Sequence, residues 1–450
     1  MRRVRLHDTR SGKVRELVSR KPGHVGIYAC GPTVYGRMHV GNARPYVVFS
    51  LLKRFLVHEG YDVTLVMNVT DVNDKIYDAA RLAGVPSEEL AREMTAAYIA
   101  DTDALGLGRP DHEPLASETI DRIVELIRRL VETGHAYASE GDVYFSVASY
   151  PLYGELSHRR VADMDQGEGV EGAERKRDPV DFALWKANKP GEDTAWESPW
   201  GRGRPGWHIE CSAMAESLLG LNFEIHGGGA DLVFPHHENE AAQTCGARGE
   251  PLAQLWVHNG MVRLDREKMA KSVGNIFLLH EALANYGRDA LIMYFAGGHY
   301  RQPIEFDAGR LEEASARAQG IREAARGLVA GDSPPWSAPL KERFFAALAD
   351  DFSTPAALAA VSDWVREANR ATAPAGDADL LEMLGVLGLE NLLDVPNHEP
   401  PAAVRGLSDA RELARRDRDY AEADRLRNQI RALGWEVRDG PSGPELLPAE

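Results

Sequence analysis

Cysteine is nearly absent from this chain: three occur among 450 residues, Cys30, Cys211 and Cys245. Three scattered thiols, an odd number, argue against a disulfide framework and against an oxidising compartment. Long apolar runs are missing as well. No stretch approaches the roughly 18 apolar residues of a membrane-spanning helix, and Met1-Arg2-Arg3-Val4-Arg5-Leu6-His7-Asp8 has no apolar segment behind its basic residues. The expectation is a cytoplasmic chain with no membrane partner. Net positive charge is lacking too: the formal charge is −17, which repels nucleic acid on average, so an RNA partner requires local basic patches. No internal repeat is seen. What remains, 44% apolar and 27% charged residues, is ordinary for a globular chain and long enough for about two to four domains.

The first segment reads as α/β. Val25-Gly26-Ile27-Tyr28-Ala29-Cys30 predicts a buried strand, followed by the turn Gly31-Pro32-Thr33 and a helix from Asn42 to Glu59 that Gly60 stops. Val47, Val48, Leu51, Leu52, Phe55 and Leu56 give that helix its apolar spacing, and Asp62 to Val69 is a second strand. Strand, helix, strand in one short stretch implies a parallel sheet. Residues Ser87 to Val131 are mostly helical. From Gly134 to about Pro205 the pattern breaks into an alternating strand (Asp142 to Val147), an acidic Gly-rich loop (Asp163 to Glu174) and a Trp/Pro/Gly-rich stretch, which reads as an insertion. Strands resume at Asn222 to His226 and Leu255 to His258. Beyond Asp307 the chain is helical: Thr354 as N-cap and Pro355 behind it start a helix whose apolar face is Leu358, Val361 and Val365. Asn397 to Pro401 reads as a linker, Ser408 to Leu433 as one helix, and Gly434 to Arg438 as a short strand.

Two short segments carry phosphate chemistry. In His39-Val40-Gly41-Asn42, a glycine permits close backbone approach at a helix start and the free N–H groups of the first turn attract phosphate. A histidine there can donate to oxygens that gain charge in a transition state. Taken alone, a glycine easing a helix start is the plainer reading, and Lys268 and Lys271 of Lys268-Met269-Ala270-Lys271-Ser272 are ordinary loop lysines. Their joint occurrence in this order, with an α/β sheet between, favours nucleotide handling.

A separate constellation suits a metal. His236 and Glu240 are spaced i, i+4 behind Pro235, so on a helix starting there they share a face. The alternative is that Glu238 and Glu240 merely complement the helix dipole. Cys30 ends a strand and Cys211 follows Trp207-His208-Ile209-Glu210; singly each could be an inert buried thiol, as Cys245 is taken to be. Two thiolates, one imidazole and one carboxylate suit tetrahedral zinc.

From Tyr28 onward the chain resembles the bacterial cysteinyl-tRNA synthetases, which are class I aminoacyl-tRNA synthetases. The resemblance is carried by Tyr28-Ala29-Cys30-Gly31-Pro32-Thr33-Val34-Tyr35, by Asn68 to Ile76, by Gly206 to Ser212, by His226-Gly227-Gly228-Gly229-Ala230-Asp231-Leu232 and by Phe234 to Glu240. It implies a Rossmann-like parallel-sheet catalytic domain with a connective insertion, then an α-helical bundle and a small C-terminal α+β domain. On this chain those are residues 1–133 and 206–265 around an insertion at 134–205, a lysine-loop and stem-contact region at 266–310, a tRNA-binding bundle at 311–396 and an anticodon-binding domain at 397–450. It implies one Zn²⁺ per chain on Cys30, Cys211, His236 and Glu240 with the substrate thiolate bound to the metal, and Mg²⁺ with ATP. Gly31, Thr70, Trp207, His226 and Asp231 match positions around bound L-cysteine, while His39, Gly41, Asn42, Lys268 and Lys271 would bind ATP. Of these, His39, Asn42, Lys268 and Lys271 would act in catalysis. The remaining partner is tRNA(Cys), and the implied oligomeric state is monomeric.

Two positions depart from the family pattern: Asn42 stands where the first motif has His, and Ala270 where the second has Ser. Asn still donates a hydrogen bond, and Ala removes only a hydroxyl. A rival resemblance is to the cysteine ligases of mycothiol synthesis, which join cysteine to an amino-sugar. They have no counterpart of the tail Arg411 to Trp435, including Asp419-Tyr420-Ala421-Glu422-Ala423-Asp424-Arg425-Leu426-Arg427. A third reading is a silent homologue that only binds tRNA or senses cysteine.

Overall fold

The computed structural model describes residues 2–164, 173–264, 267–269, 276–394, 400–440 and 443–448. Its centre is a four-stranded parallel sheet ordered Ala253–Asn259, Phe223–Gly229, His24–Ala29, Asp62–Met67. Burial on both faces explains why the strand His24–Ala29 is an apolar run without alternation, while Phe223–Gly229, buried throughout, also carries Glu224 and His226. The helix Val40–His58 crosses from the third strand in that order to the fourth and buries Val47, Val48, Leu51, Leu52, Phe55 and Leu56. Gly60 takes φ +93° just beyond it, a backbone that favours glycine. Chain order runs outward in both directions from the pair Phe223–Gly229 and His24–Ala29. A crevice therefore opens past the carboxyl ends of these two strands, where open α/β sheets bind ligands.

The insertion forms its own antiparallel sheet, Ala136–Ser139, Asp142–Phe145, Phe182–Ala187 and Gly203–Pro205 in that order. The strand expected to reach Val147 stops at Phe145, because Val147–Ser149 turns into a short 3₁₀ segment. Most of the expected acidic loop, residues 165–172, lies outside the described residues. Helices Leu279–Ala296, Ala308–Ala325, Ser337–Ala349, Thr354–Arg370 and Ala378–Val386 follow. Ser353, not Thr354, is the N-cap of the fourth, since Thr354 is buried and already helical. Leu358 and Val361 are buried on its inner face and Val365 packs beside them. No described helix is long and apolar enough to cross a membrane.

Residues 394–450 form a second compact unit, with 1–393 as the first. The single helix expected from Ser408 to Leu433 is in fact two, Ala402–Arg416 and Tyr420–Ala432. Arg418 takes φ +62° between them, and the Asp419 carboxylate accepts from Glu422 N at 3.1 Å, capping the second helix. An antiparallel hairpin, Trp435–Gly440 with Gly443–Pro448, completes the unit around Val404, Ile430 and Val437. The Arg411 side chain is only 7% exposed and donates to both Asp439 oxygens, at 2.8 and 2.9 Å. Replacing Arg411 by alanine should cost this unit roughly 1–2 kcal/mol, the range for a charged hydrogen bond discounted for the half-open carboxylate. Urea unfolding of the variant reads this directly, and an unchanged midpoint would refute a structural role for Arg411.

Candidate active site

Cys30 follows the last residue of the strand His24–Ala29, at the crevice. Cys211 is on the helix Trp207–Leu219, and Glu240 is on the helix Glu238–Arg248. The helix expected to begin at Pro235 opens instead as a wide turn, Val233–His237, with Phe234 extended (φ −140°), and becomes α-helical at Glu238. His236 and Glu240 still meet, with Nε2 3.2 Å from Oε1. One ligand atom from each of Cys30, Cys211, His236 and Glu240 lies within 4.8 Å of the others, and all four residues are buried. A second set meets the same criterion: Cys30, His226, His237 and Glu240. His237 has one signal in the sequence, its i, i+3 spacing to Glu240, which the expected set does not use. Glu238 does not serve the helix dipole alone, for its carboxylate accepts from Gly154 N and Ser157 N of the insertion, at 2.9 and 2.7 Å.

The electrostatics of this group fit a cation. Burial, then the neighbouring Cys211 thiol and Glu240, push the Cys30 thiol well above its ordinary value. Burial likewise raises Cys211. Glu240 Oε2 accepts no hydrogen bond, although His226 Nε2 is 3.4 Å away. Burial lowers the His236 pKa to about 3, so this imidazole is neutral and able to ligate. Its Nδ1 lies 2.8 Å from His208 Nδ1, which fixes the ring while Nε2 faces Glu240. The two buried thiols are thus biased toward their protonated forms, and a divalent cation at the centre of the group would reverse that preference. A buried Cys/His/Glu group that can hold a metal ion is thus a property of this fold.

A cavity of about 610 Å³ runs from Cys30, whose partners Cys211, His236 and Glu240 do not line it, to the His39–Asn42 segment. Cys30, Gly31, Trp207 and Asp231 line one part of it, and His39, Gly41, Asn42 and Met269 another. Thr70 and His226 stand behind the wall, both buried. Asn68 links Gly31 to Thr70, accepting from Gly31 N at 3.0 Å and donating to Thr70 Oγ1 at 3.2 Å. A Cβ on Gly31 would fall 1.8 Å from Asn68 O, so only glycine fits. Trp207 stacks on His236 with ring centroids 4.2 Å apart, between the cavity and the imidazole. His39 is the N-cap of Val40–His58, and its ring lies 2.9 Å from where a Gly41 Cβ would be. The motif is tied by backbone bonds, Val40 N to Phe277 O and Leu279 N to Met38 O, to the chain just beyond the second motif. Of that second motif, Lys268 ends the short strand Glu267–Lys268, while Ala270, Lys271 and Ser272 lie outside the described residues.

Comparison with known proteins gives the same arrangement a family. Residues 16–316 match the family model described as tRNA synthetases class I (C) catalytic domain. Solved structures agree on the fold: methionyl-tRNA synthetase of Mycobacterium tuberculosis in complex with methionyl-adenylate superposes with a TM-score of 0.61 at 16% identity, covering 82% of this chain and 89% of that one. The catalytic half is that of a class I aminoacyl-tRNA synthetase. Residues 343–390 match the DALR domain, and 398–443 the cysteinyl-tRNA ligase anticodon binding domain. The cysteine–tRNA ligase of Alkalilimnicola ehrlichii is 46% identical over 98% of both chains, and that of Pseudothermotoga lettingae 43% over 98% of both. The chain belongs to the cysteine–tRNA ligase family.

Proposed function

We propose that this protein activates L-cysteine with ATP and transfers it to tRNA(Cys). The observation that supports this best is the single cavity running from Cys30 and Trp207 to His39 and Asn42, which puts a thiol-selecting group beside a helix start suited to phosphate. In the first step a cysteine carboxylate oxygen attacks the ATP α-phosphorus, the bond to the β-phosphate oxygen breaks, and pyrophosphate leaves. In the second the 2′-hydroxyl of the terminal ribose attacks the acyl carbon, and AMP leaves with the bonding electrons. Such chemistry needs positioning and charge stabilisation more than a protein nucleophile. His39, the Gly41 N–H and the Asn42 side chain would hold phosphate oxygens, since Val40 N and Asn42 N already donate to Phe277 O and His39 O, with Lys268, Lys271 and the Mg²⁺ that accompanies ATP neutralising the triphosphate.

Cys30, Cys211, His236 and Glu240 would hold Zn²⁺, which supplies a soft Lewis acid that engages a thiol in preference to a hydroxyl. Gly31, Thr70, Trp207, His226 and Asp231 would shape the pocket for the rest of the amino acid. Within this reading residues 1–133 and 206–265 are catalytic, 134–205 the insertion, 266–310 the lysine loop and stem contact, 311–396 the tRNA-binding bundle and 397–450 the anticodon reader. The enzyme would work as a cytoplasmic monomer. The C-terminal match at 398–443 favours tRNA over an amino-sugar acceptor.

Cysteine-dependent exchange of labelled pyrophosphate into ATP tests the first step, and its absence would leave a silent homologue. Charging of purified tRNA(Cys) then separates the synthetase from the amino-sugar ligase. Selectivity follows from the same site. A pocket built to engage one polar group rejects analogues lacking it by roughly 10⁴–10⁵, so discrimination of cysteine over serine in the exchange assay should reach that range. A ratio near a hundredfold, typical of a pocket without such a group, would contradict a thiol-engaging metal.

A further inference from the structure

Arg44 stands two residues past Asn42 on the helix Val40–His58, is completely buried, and makes no ion pair among the described residues. Its guanidinium instead donates to three backbone carbonyls: Nη1 to Gly260 O at 2.6 Å and to Met261 O at 3.2 Å, and Nη2 to His299 O at 3.1 Å. Burial lowers its pKa to about 10. A buried cation held only by carbonyl dipoles costs stability, and a neutral side chain of similar size would be cheaper for the fold.

The three carbonyls belong to parts that must be aligned. Gly260 and Met261 follow the strand Ala253–Asn259 and line the cavity. His299 begins a segment fastened to the helical bundle, where Tyr300 OH and Arg301 Nε each donate to Asp351 at 2.8 Å. Gly260 N in turn donates to Tyr300 O at 2.7 Å, and a Cβ on Gly260 would come within 2.3 Å of Gln302 C, so turn and segment are in close backbone contact.

We propose that Arg44 is a positioning residue: it sets the cavity wall Gly260–Met261 against the helix that begins at the His39 motif, and couples that wall to the bundle through His299. This rests on the activation reading above and adds to it a route by which the bundle influences the site. Arg44 touches neither substrate nor ion.

The test is Arg44→Gln, whose amide can still donate to a carbonyl but carries no charge. Displacing a wall by an ångström can cost about a hundredfold in rate. The expected result is kcat for pyrophosphate exchange down by about ten- to a hundredfold, with KM for cysteine and metal content unchanged. The thermal midpoint should be unchanged or higher, and the Gly260 and Ile304 amides, which bond Tyr300 O and Met261 O, should exchange hydrogen faster. Rate falling while stability holds is the signature a merely structural residue would not give. Arg44→Lys, which keeps the charge and fewer donors, should fall between, and it carries the same readouts if the Gln variant does not fold. Unchanged kcat, or kcat, cysteine KM, metal content and midpoint all lost together, overturns the proposal. Activity of the unaltered chain tests the activation reading separately; unaltered amide exchange in the variants overturns the role of Arg44 whatever that activity is.

Discussion

Cys211→Ser protein is expected to retain no stoichiometric zinc and to lose cysteine activation, where the unaltered chain should hold about one ion per molecule, as a four-ligand protein site does. A serine hydroxyl is a harder and far less acidic donor than a thiol, so three ligands remain and the buried Glu240 carboxylate loses part of its compensation. Altering groups that only support metal ligands costs about 10–100-fold in affinity or activity; removing a ligand itself should cost more, and exchange should fall below detection. Metal analysis after gel filtration checks the first half and the exchange assay the second. The variant also decides between two donor sets, because the alternative Cys30, His226, His237 and Glu240 does not contain Cys211. Zinc retained in Cys211→Ser but lost in His237→Gln would move the ion to that alternative.

The sheet was legible in the sequence because its strands are buried on both faces and its first crossover is short. Val25 to Cys30, Val47 to Leu56 and Asp62 to Val69 declare themselves locally and these two strands end within two residues of expectation, whereas the strand expected from Asn222 to His226 runs on to Gly229. Cys30 and Cys211 have no periodicity to join them. Their chemistry and a family resemblance suggested the pair, and only parallel pairing of Phe223–Gly229 beside His24–Ala29 brings the neighbouring elements to one crevice. Other features were hidden for physical reasons. The break at Arg418 escaped because Leu426, Ile430 and Leu433 keep helical spacing after it, and the capping signal of Asp419 with Glu422 sits inside a charged run. The insertion sheet escaped in part because its strands are short and one of them, Gly203–Pro205, has three residues. Arg44 gave no signal, since an arginine on a helix is normally solvated and its burial is decided by carbonyls more than two hundred positions away.

A chain ending at Asp394 should keep cysteine-dependent pyrophosphate exchange and lose most tRNA charging. The proposed metal and ATP ligands all precede Gly274, and the compact unit 1–393 contains every residue that lines the cavity. Arginines crowd the tail with Asp and Glu interleaved, and the fold divides them. Arg411 and Arg415 pair with Asp439, Arg416 with Glu412, Arg425 with Glu422 and Arg431 with Glu436. Arg418 and Arg427 are exposed and make no ion pair with any described residue. These two are the better candidates to meet an anticodon loop, where arginine pairs with phosphate, stacks on unpaired bases and reads their edges. Removing two arginines that each read a base edge costs roughly 2–6 kcal/mol, which is at least about thirtyfold in kcat/KM for tRNA. If the pair meets only phosphate, Arg418→Ala with Arg427→Ala should instead flatten the salt dependence of tRNA binding by about two in slope. Both effects would come mainly through tRNA KM, because the chemistry is left intact. Charging at undiminished efficiency by a folded chain ending at Asp394 would remove residues 397–450 from tRNA recognition. It would leave the helical bundle as the part that selects the tRNA.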